Sequence, residues 1–466
     1  MKPKFCRTYL NEKIYFILLL ILQLLFVLLQ HCWFSYEKLD FEPFKLVPEH
    51  PLSFMDQNFY LILSTLLATI AVLLQKIKID FQEALFLLSL YLFSFQFGII
   101  MNAFFEQAID RQFGKYELDS QTLCLALDSI FLTIFSLEEV FVSLSPLHWL
   151  LIIILEIPAF CLNKQLTRKI IGTLDEGYTI VLFFFCGFFI HPIKRVLQYI
   201  SPKVKIAEKI ERDSENILYI RILILVIFAP LFSSLLEQRN SQIENFINNL
   251  LSLSCSIVSA YICTAFFRNN KFSALKVYRS VFAATISTAS VSHVYLSHIG
   301  SISIGLVSGA MGVLKRKQLN HLLNSPVTKK QNFYNELLYL PAFLGGLFTV
   351  VSSIIVIRST DPKIYNRIKH FPAGSKQPLS QLFGILVTFL IAKVSGILSS
   401  KFLIFLTTKF ELPFNNANLS RRTYQYTKIN TSLKKEMKVW GNLNKKSLNK
   451  HNSFHLHHID CKEKIN

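Results

Sequence analysis

The feature that most constrains this chain is a succession of apolar runs, each about 20 residues long, the length a helix needs to cross the ~30 Å hydrocarbon layer of a bilayer. Twelve are predicted, centred near residues 23, 66, 93, 132, 155, 185, 228, 256, 285, 306, 347 and 394. In hydrocarbon every backbone N–H and C=O must be bonded within the protein, and a run of this length does so as a helix. Of the 466 residues 52% are hydrophobic, more than a water-soluble fold could cover. The fold class is therefore an all-α polytopic membrane protein with twelve predicted transmembrane helices. The first run, Ile14 to Trp33, follows MKPKFCRTYLNEK without a small-residue cleavage pattern, which favours a signal anchor over a removed signal peptide.

An even number of spans puts both ends of the chain on one side, and the Lys and Arg distribution chooses that side. Segments on the side of the termini hold 32 of these residues, against 13 in the opposite loops. Both termini are thus predicted to be cytoplasmic. The chain divides into a short N-terminus (1–13), a transmembrane domain (14–408) and a basic, disordered tail (409–466). With 12 basic and 4 acidic residues, the tail carries a net charge of +8. Beside a membrane this favours anionic lipid, at about 1 kcal/mol for each basic residue near the surface, and membrane lipid is a better partner for it than nucleic acid. Two opposite loops, 33–56 and 104–121, are acidic through residues such as Glu37, Asp40, Glu106 and Asp110, and predict a cation-attracting field on that face.

Few ionisable groups fall inside the spans. Arg221, Arg279 and Lys401 lie near predicted cytoplasmic ends, where long side chains snorkel to the headgroups. Lys393 falls mid-span, and Glu156 lies inside the apolar run LLIIILEIPAF. Such groups mark functional sites by default, although for Glu156 a structural hydrogen bond to a neighbouring helix is the better reading. The eight cysteines are scattered, and the tail residues His451, His455, His457, His458 and Cys461 lack an ordered frame, so neither a disulfide framework nor a metal site is expected. There is no Walker loop, GxSxG or HExxH pattern. No enzyme activity and no cofactor are expected.

Residues 277–314 differ from the rest: 18 of the 38 are Ala, Ser, Thr or Gly, with Phe282 the only phenylalanine. Lipid is as apolar as leucine, so membrane helices associate by close backbone approach, which small residues permit. This pair of segments is predicted to be the packed interior of the bundle.

Several weak motifs occur in one order between residues 10 and 412. They are Phe54 and Asp56 in PLSFMDQNFYLIL, FQFG at 95–98, Ser145-Pro146 followed by Glu156 and Asn163, Ala229-Pro230-Leu231-Phe232-Ser233-Ser234, Gly300, Gly305 and Gly309, and Gln381 to Gly396. Through that order the chain resembles the Rh (Rhesus) branch of the ammonium transporter family. The resemblance implies a trimer in which each subunit carries a narrow apolar pore for ammonium or ammonia, and also CO2, gated by phenylalanines and lined by two histidines. A neutral gas crosses where an ion is too costly, and histidine can take and return the proton.

Carried onto this chain, the resemblance places Phe232 at one gate position and Leu137 at the other. It places Asp175 as the recruiting acid, and Gly300, Gly305 and Gly309 as helix-packing glycines. Val181 and Leu338 stand where the family has its histidines, and Arg279 replaces a buried asparagine. The implied function is an Rh-type ammonium or ammonia transporter or channel-like protein of the plasma membrane, its own conduction put in question by the loss of both histidines. That loss is similar to the blood-group type of Rh polypeptides. The alternative is a non-conducting structural subunit, in a homo- or hetero-trimer with Rh-family partners, that tethers membrane or cytoskeleton.

Overall fold

The computed structural model describes residues 3–36, 81–118, 120–140, 146–175, 178–200, 215–235, 242–266, 274–313 and 336–409. They form helices α1 (Pro3–Trp33), α2 (Phe81–Asp110), α3 (Ser120–Val140) and α4 (Pro146–Gln165), which widens into a π-helical turn at Leu166–Ile171. Helix α5 begins as a second π-helical turn, Thr179–Phe184, and continues over Phe185–Ile200. Then follow α6 (Glu215–Leu235), α7 (Gln242–Phe266), α8 (Ala274–Val294), α9 (His298–Val313), α10 (Glu336–Arg358) and α11 (Gln377–Lys409). Two three-residue strands, β1 (Phe34–Tyr36) and β2 (Tyr116–Leu118), pair in parallel.

Eleven of the twelve predicted span centres fall within these helices, and the one near residue 66 lies outside the described residues, as does the predicted tail beyond Lys409. Seven of the helices are long and apolar enough to cross a membrane, and three more are apolar but shorter. The protein is a multi-pass integral membrane protein. Burial sorts its helices by position. Helix α1 leaves Phe16, Ile17, Leu20, Leu24 and Leu28 exposed, whereas α4 and α5 bury most of their side chains. The first is a lipid-facing element and the other two are interior ones.

Connections predicted to share one face of the membrane do meet at one end. Trp33 Nε1 donates to Gln107 Oε1 at 3.1 Å and to the Gly114 carbonyl at 2.9 Å. Gln377 Nε2 donates to the Gly172 carbonyl at 3.0 Å, and Gln381 Nε2 to that of Leu174 at 2.8 Å. Arg367 pairs with Glu244 at 3.0 Å and lies 5.3 Å from the Tyr295 ring. Lys169 pairs with both Glu106 and Asp110. Two acids expected to contribute to an open cation-attracting field are thus neutralised by a neighbouring cation.

The small-residue stretch is α8 and α9: α8 is the interior it was predicted to be, whereas α9 buries only the face that carries Gly305 and Gly309 and leaves Ile299, Ile302, Leu306 and Val307 exposed. Ser280, Ala283, Ala284, Ser287, Ser290 and Ser292 on α8 have no exposed surface. Helix α8 packs against α6, α7, α9 and α10, and against the first turn of α5. Its hydroxyls bond across those contacts: Ser280 Oγ donates to the Ser256 carbonyl at 2.5 Å, and Ser287 Oγ to that of Pro341 at 3.0 Å. A Cβ at Gly305 would overlap the Ser252 carbonyl oxygen, and one at Gly309 would lie 2.8 Å from both Ser256 Cα and Ser280 Oγ. Gly312, which the sequence did not single out, meets the Arg279 backbone in the same way. Gly300 differs, because its nearest neighbours are Leu296 and Ser297 of its own connection, at 3.2 Å. It sits at the start of α9, not in a helix contact.

Candidate functional site

Two of the residues expected to line a path, Asp175 and Val181, lie at the start of α5. A helix N-terminus exposes amide N–H groups that have no intrahelical acceptor, and a carboxylate placed there bonds them and meets the positive end of the helix dipole. Asp175 does this. Its Oδ1 accepts from Thr179 N at 3.0 Å, and its Oδ2 from Ile180 N at 2.8 Å and Val181 N at 2.7 Å. The Ser290 hydroxyl of α8 is a fourth donor. Burial pushes the Asp175 carboxyl above the usual carboxylate range, and the bonds from Ser290, Val181 and Ile180 pull it back. Asp175 is 1% exposed. The acid expected to recruit a cation is therefore engaged as a cap that ties α5 to α8.

Val181 and Leu338, which the resemblance sets at the two histidine positions, are both buried. They lie on helices that touch: a Cβ on Gly187 of α5 would come within 2.9 Å of Tyr339 Cβ on α10. Aromatic rings of α5, α10 and α11 cluster beside this contact, with Phe343 and Phe389 exposed at its outer edge. Phe188 lies 4.9 Å from Tyr339 and 4.8 Å from both Phe184 and Phe389, and Phe184 stacks on Phe343 at 6.2 Å. No titratable group stands at either histidine position. Pro341, which cannot complete the helical bond to the preceding turn, lies just beyond Leu338, and its carbonyl is the one held by Ser287.

Of the two residues that the resemblance sets at gate positions, Phe232 lies on α6 with its side chain outside what is described. Leu137 is buried on α3, and the aromatic neighbour that the sequence reading passed over is Phe135. Its ring lies 5.0 Å from Phe183 on α5 and 6.0 Å from Phe282 on α8, and Phe282 stacks on Tyr278 at 6.0 Å. Beside Leu137, Ser136 donates its hydroxyl to Glu156 and lies 3.1 Å from Cys186 Sγ. Glu156 thus has the bond to a neighbouring helix that its apolar run suggested.

The intramembrane cations fall in two groups. Arg221 and Arg279 were expected to snorkel outward, yet both are buried by protein, and the Arg221 guanidinium lies 5.7 Å from the Tyr278 ring. Packing of α6 on α8 covers them before they reach a headgroup. Lys401 is exposed, while Lys393 is half-buried on α11 and feels the charge of Arg195 on α5. The sequence reading missed a buried ion pair between Lys164 on α4 and Asp128 on α3. Asp128 lies inside the apolar run ALDSIFLTIF, and Lys164 at the end of the run that carries Glu156. Among the described residues, no cluster of His, Cys, Asp or Glu could hold a metal ion.

No protein-family profile matches the chain. It is 25% identical over 294 residues to the ammonium transporter Rh type B of Oryctolagus cuniculus, covering 60% of this chain and 62% of that one. To the ammonium transporter Rh type A of Bos taurus it is 24% identical over 293 residues, covering 62% and 68%. The chain is thus similar, over 60–62% of its length, to ammonium transporters of the Rh type. Among solved structures, this Rh-like chain superposes on Nitrosomonas europaea Rh50 with a TM-score of 0.55 at 17% identity, covering 84% of this chain and 99% of that one. With Saccharomyces cerevisiae Mep2 the TM-score is 0.52 at 10% identity, covering 80% and 90%. The Rh-like chain therefore has the Rh and ammonium-transporter fold, and it spans 62% of the length of the rabbit relative. The matched relatives are named as transporters, which agrees with the expectation that this chain is not an enzyme.

Proposed function

We propose that this chain is an Rh-type transport protein of the ammonium and ammonia class, and that the species it passes is uncharged: ammonia, with CO2 as a second neutral candidate. The observation that carries this reading is the apolar character of the two positions where the family places its histidines, Val181 and Leu338, within a transporter fold whose α5 start is still anchored to α8 through Asp175. Without a titratable group at either position, a proton cannot be taken up there and returned. An ion crossing apolar protein bears a large desolvation cost, whereas a small neutral molecule does not. Purified protein in liposomes loaded with a pH dye tests this. Ammonia entry is expected above the rate of protein-free vesicles and in proportion to the free ammonia concentration, with no methylammonium current. A rate equal to that of empty vesicles overturns conduction.

The second reading, a non-conducting subunit that assembles with a conducting Rh protein, is favoured by the close approach of α5 to α10, where a Cβ on Gly187 would lie 2.9 Å from Tyr339 Cβ. Co-purification with an Rh-family partner, together with empty-vesicle flux from the chain alone, selects it. In either case we propose a trimeric assembly in the plasma membrane with both termini cytoplasmic. The tail from residue 409 would then lie against anionic lipid.

A further inference from the structure

The ε-ammonium of a lysine is a primary alkylammonium ion on a tether, and the surroundings of Lys164 are those that would bind such an ion if it were free. Lys164 is 1% exposed and ion-paired with Asp128. Its Nζ lies 5.3 Å from the Tyr178 ring centroid and 5.9 Å from that of Phe160, inside the range over which a ring face attracts a cation. The Tyr178 hydroxyl bonds to the same carboxylate. A second cation, Arg168, lies 6.0 Å from the Tyr178 ring, and Cys161 and Ser129 complete the polar surroundings. An ammonium held by a buried carboxylate with two aromatic rings within about 6 Å shows a recognition set for a small organic cation, and three elements build it: α3 supplies Asp128, α4 supplies Phe160, and the connection before α5 supplies Tyr178.

We propose that Asp128, Phe160 and Tyr178 form a binding site for ammonium and primary alkylammonium ions, and that Lys164 occupies it from within as a covalently attached ligand. Free ammonium is thereby excluded from this position in the native chain. The inference stands whether or not the protein conducts.

The test is replacement of the tethered ligand by a free one. Thermal unfolding of the full chain in detergent is followed in sodium, ammonium and propylammonium chloride at equal ionic strength, for the native protein, Lys164→Ala, and the double variant Lys164→Ala/Asp128→Asn. A ligand that binds only the folded state raises Tm. Lys164→Ala is expected to melt lower in sodium and to gain about 2 °C or more in about 100 mM ammonium, and more in propylammonium, which also fills the vacated stem. The native chain and the double variant should not distinguish the three salts. Equal melting of Lys164→Ala in all three overturns the proposal, as does a matching gain in the native chain or the double variant. Failure to recover monodisperse Lys164→Ala in ammonium-containing buffer overturns it as well, because free ammonium should then substitute for the lost charge.

Discussion

The Ser287 hydroxyl on α8 donates to the carbonyl of Pro341 on α10 at 3.0 Å, and the same serine's backbone is the surface on which Gly345 rests. A Cβ on Gly345 would stand 2.9 Å from the Ser287 carbonyl oxygen and 2.8 Å from Thr179 Cγ2. Three helices meet here with no room between them. Gly345→Ala is therefore expected to destabilise by about 1–3 kcal/mol, the range for overpacking a filled interior. Thermal unfolding in detergent reads this, and an unchanged Tm would show that α10 can move away from α8.

The glycines of α9 should separate by position. Gly305→Val forces a side chain into the Ser252 backbone and is expected to abolish recovery of folded protein, whereas Gly300→Ala, at the start of α9 and outside the helix contact, should change stability by less than about 1 kcal/mol. Gel filtration of the two variants side by side checks the contrast. Equal behaviour would remove the distinction drawn between the two sites.

Asp175 accepts from three amides and one hydroxyl. Asparagine offers one acceptor oxygen where aspartate offers two, and turns an NH2 group toward amide donors. Asp175→Asn is expected to cost about 1–3 kcal/mol. Were the acid a cation recruiter and not a cap, the same variant would leave Tm unaltered and lower only the flux.

For Glu156, glutamine keeps an acceptor for the Ser136 hydroxyl without requiring a charge in the core. Glu156→Gln should stay within about 1 kcal/mol of the native protein, and Glu156→Ala should lose about 2–4 kcal/mol through the cavity and the orphaned partner. A Gln variant with native Tm and abolished ammonia entry would assign Glu156 to transport instead.

At one end of the bundle, Arg367 and Glu244 form a partly exposed pair. Such pairs contribute about 0.2–1 kcal/mol and weaken with salt. Glu244→Gln is expected to cost less than about 1 kcal/mol, and the difference should vanish in about 1 M salt. A larger, salt-insensitive loss would mean that the Arg367 contacts with Tyr295 and the Val294 carbonyl depend on the pair.

The helices were legible because hydrocarbon leaves a chain only one economical way to bond its backbone, and span length follows from bilayer thickness. The interior role of α8, and of the glycine face of α9, was legible for a related reason, since small residues permit close backbone approach inside a bilayer. What hydropathy could not convey is lateral pairing. Asp128 and Lys164 lie 36 positions apart and Asp175 and Ser290 lie 115 apart, so no local pattern joins them. Burial of Arg221 and Arg279 was hidden likewise, because a cation near a span end snorkels or is covered according to which helix lies beside it. Phe135 was passed over because, in a chain with 43 phenylalanines, no single ring stands out until its partners on α5 and α8 are seen.

The composition of α8 bears on how the protein is made. A segment leaves the translocon for lipid according to its own summed transfer energy, on a scale where Arg near a helix centre costs about 2.5–3.5 kcal/mol. Helix α8 carries Arg279 and a run of serines and threonines, and it is absent both from the seven helices apolar enough to cross alone and from the three shorter apolar ones. Partitioning of this segment should therefore depend on neighbours already waiting in the membrane, with α7 upstream supplying the Ser256 surface against which it seats. In a glycosylation-mapping assay the isolated α8 segment should remain largely uninserted, and the α7–α8 pair should insert. Biogenesis of the bundle would then turn on a helix that enters lipid poorly by itself.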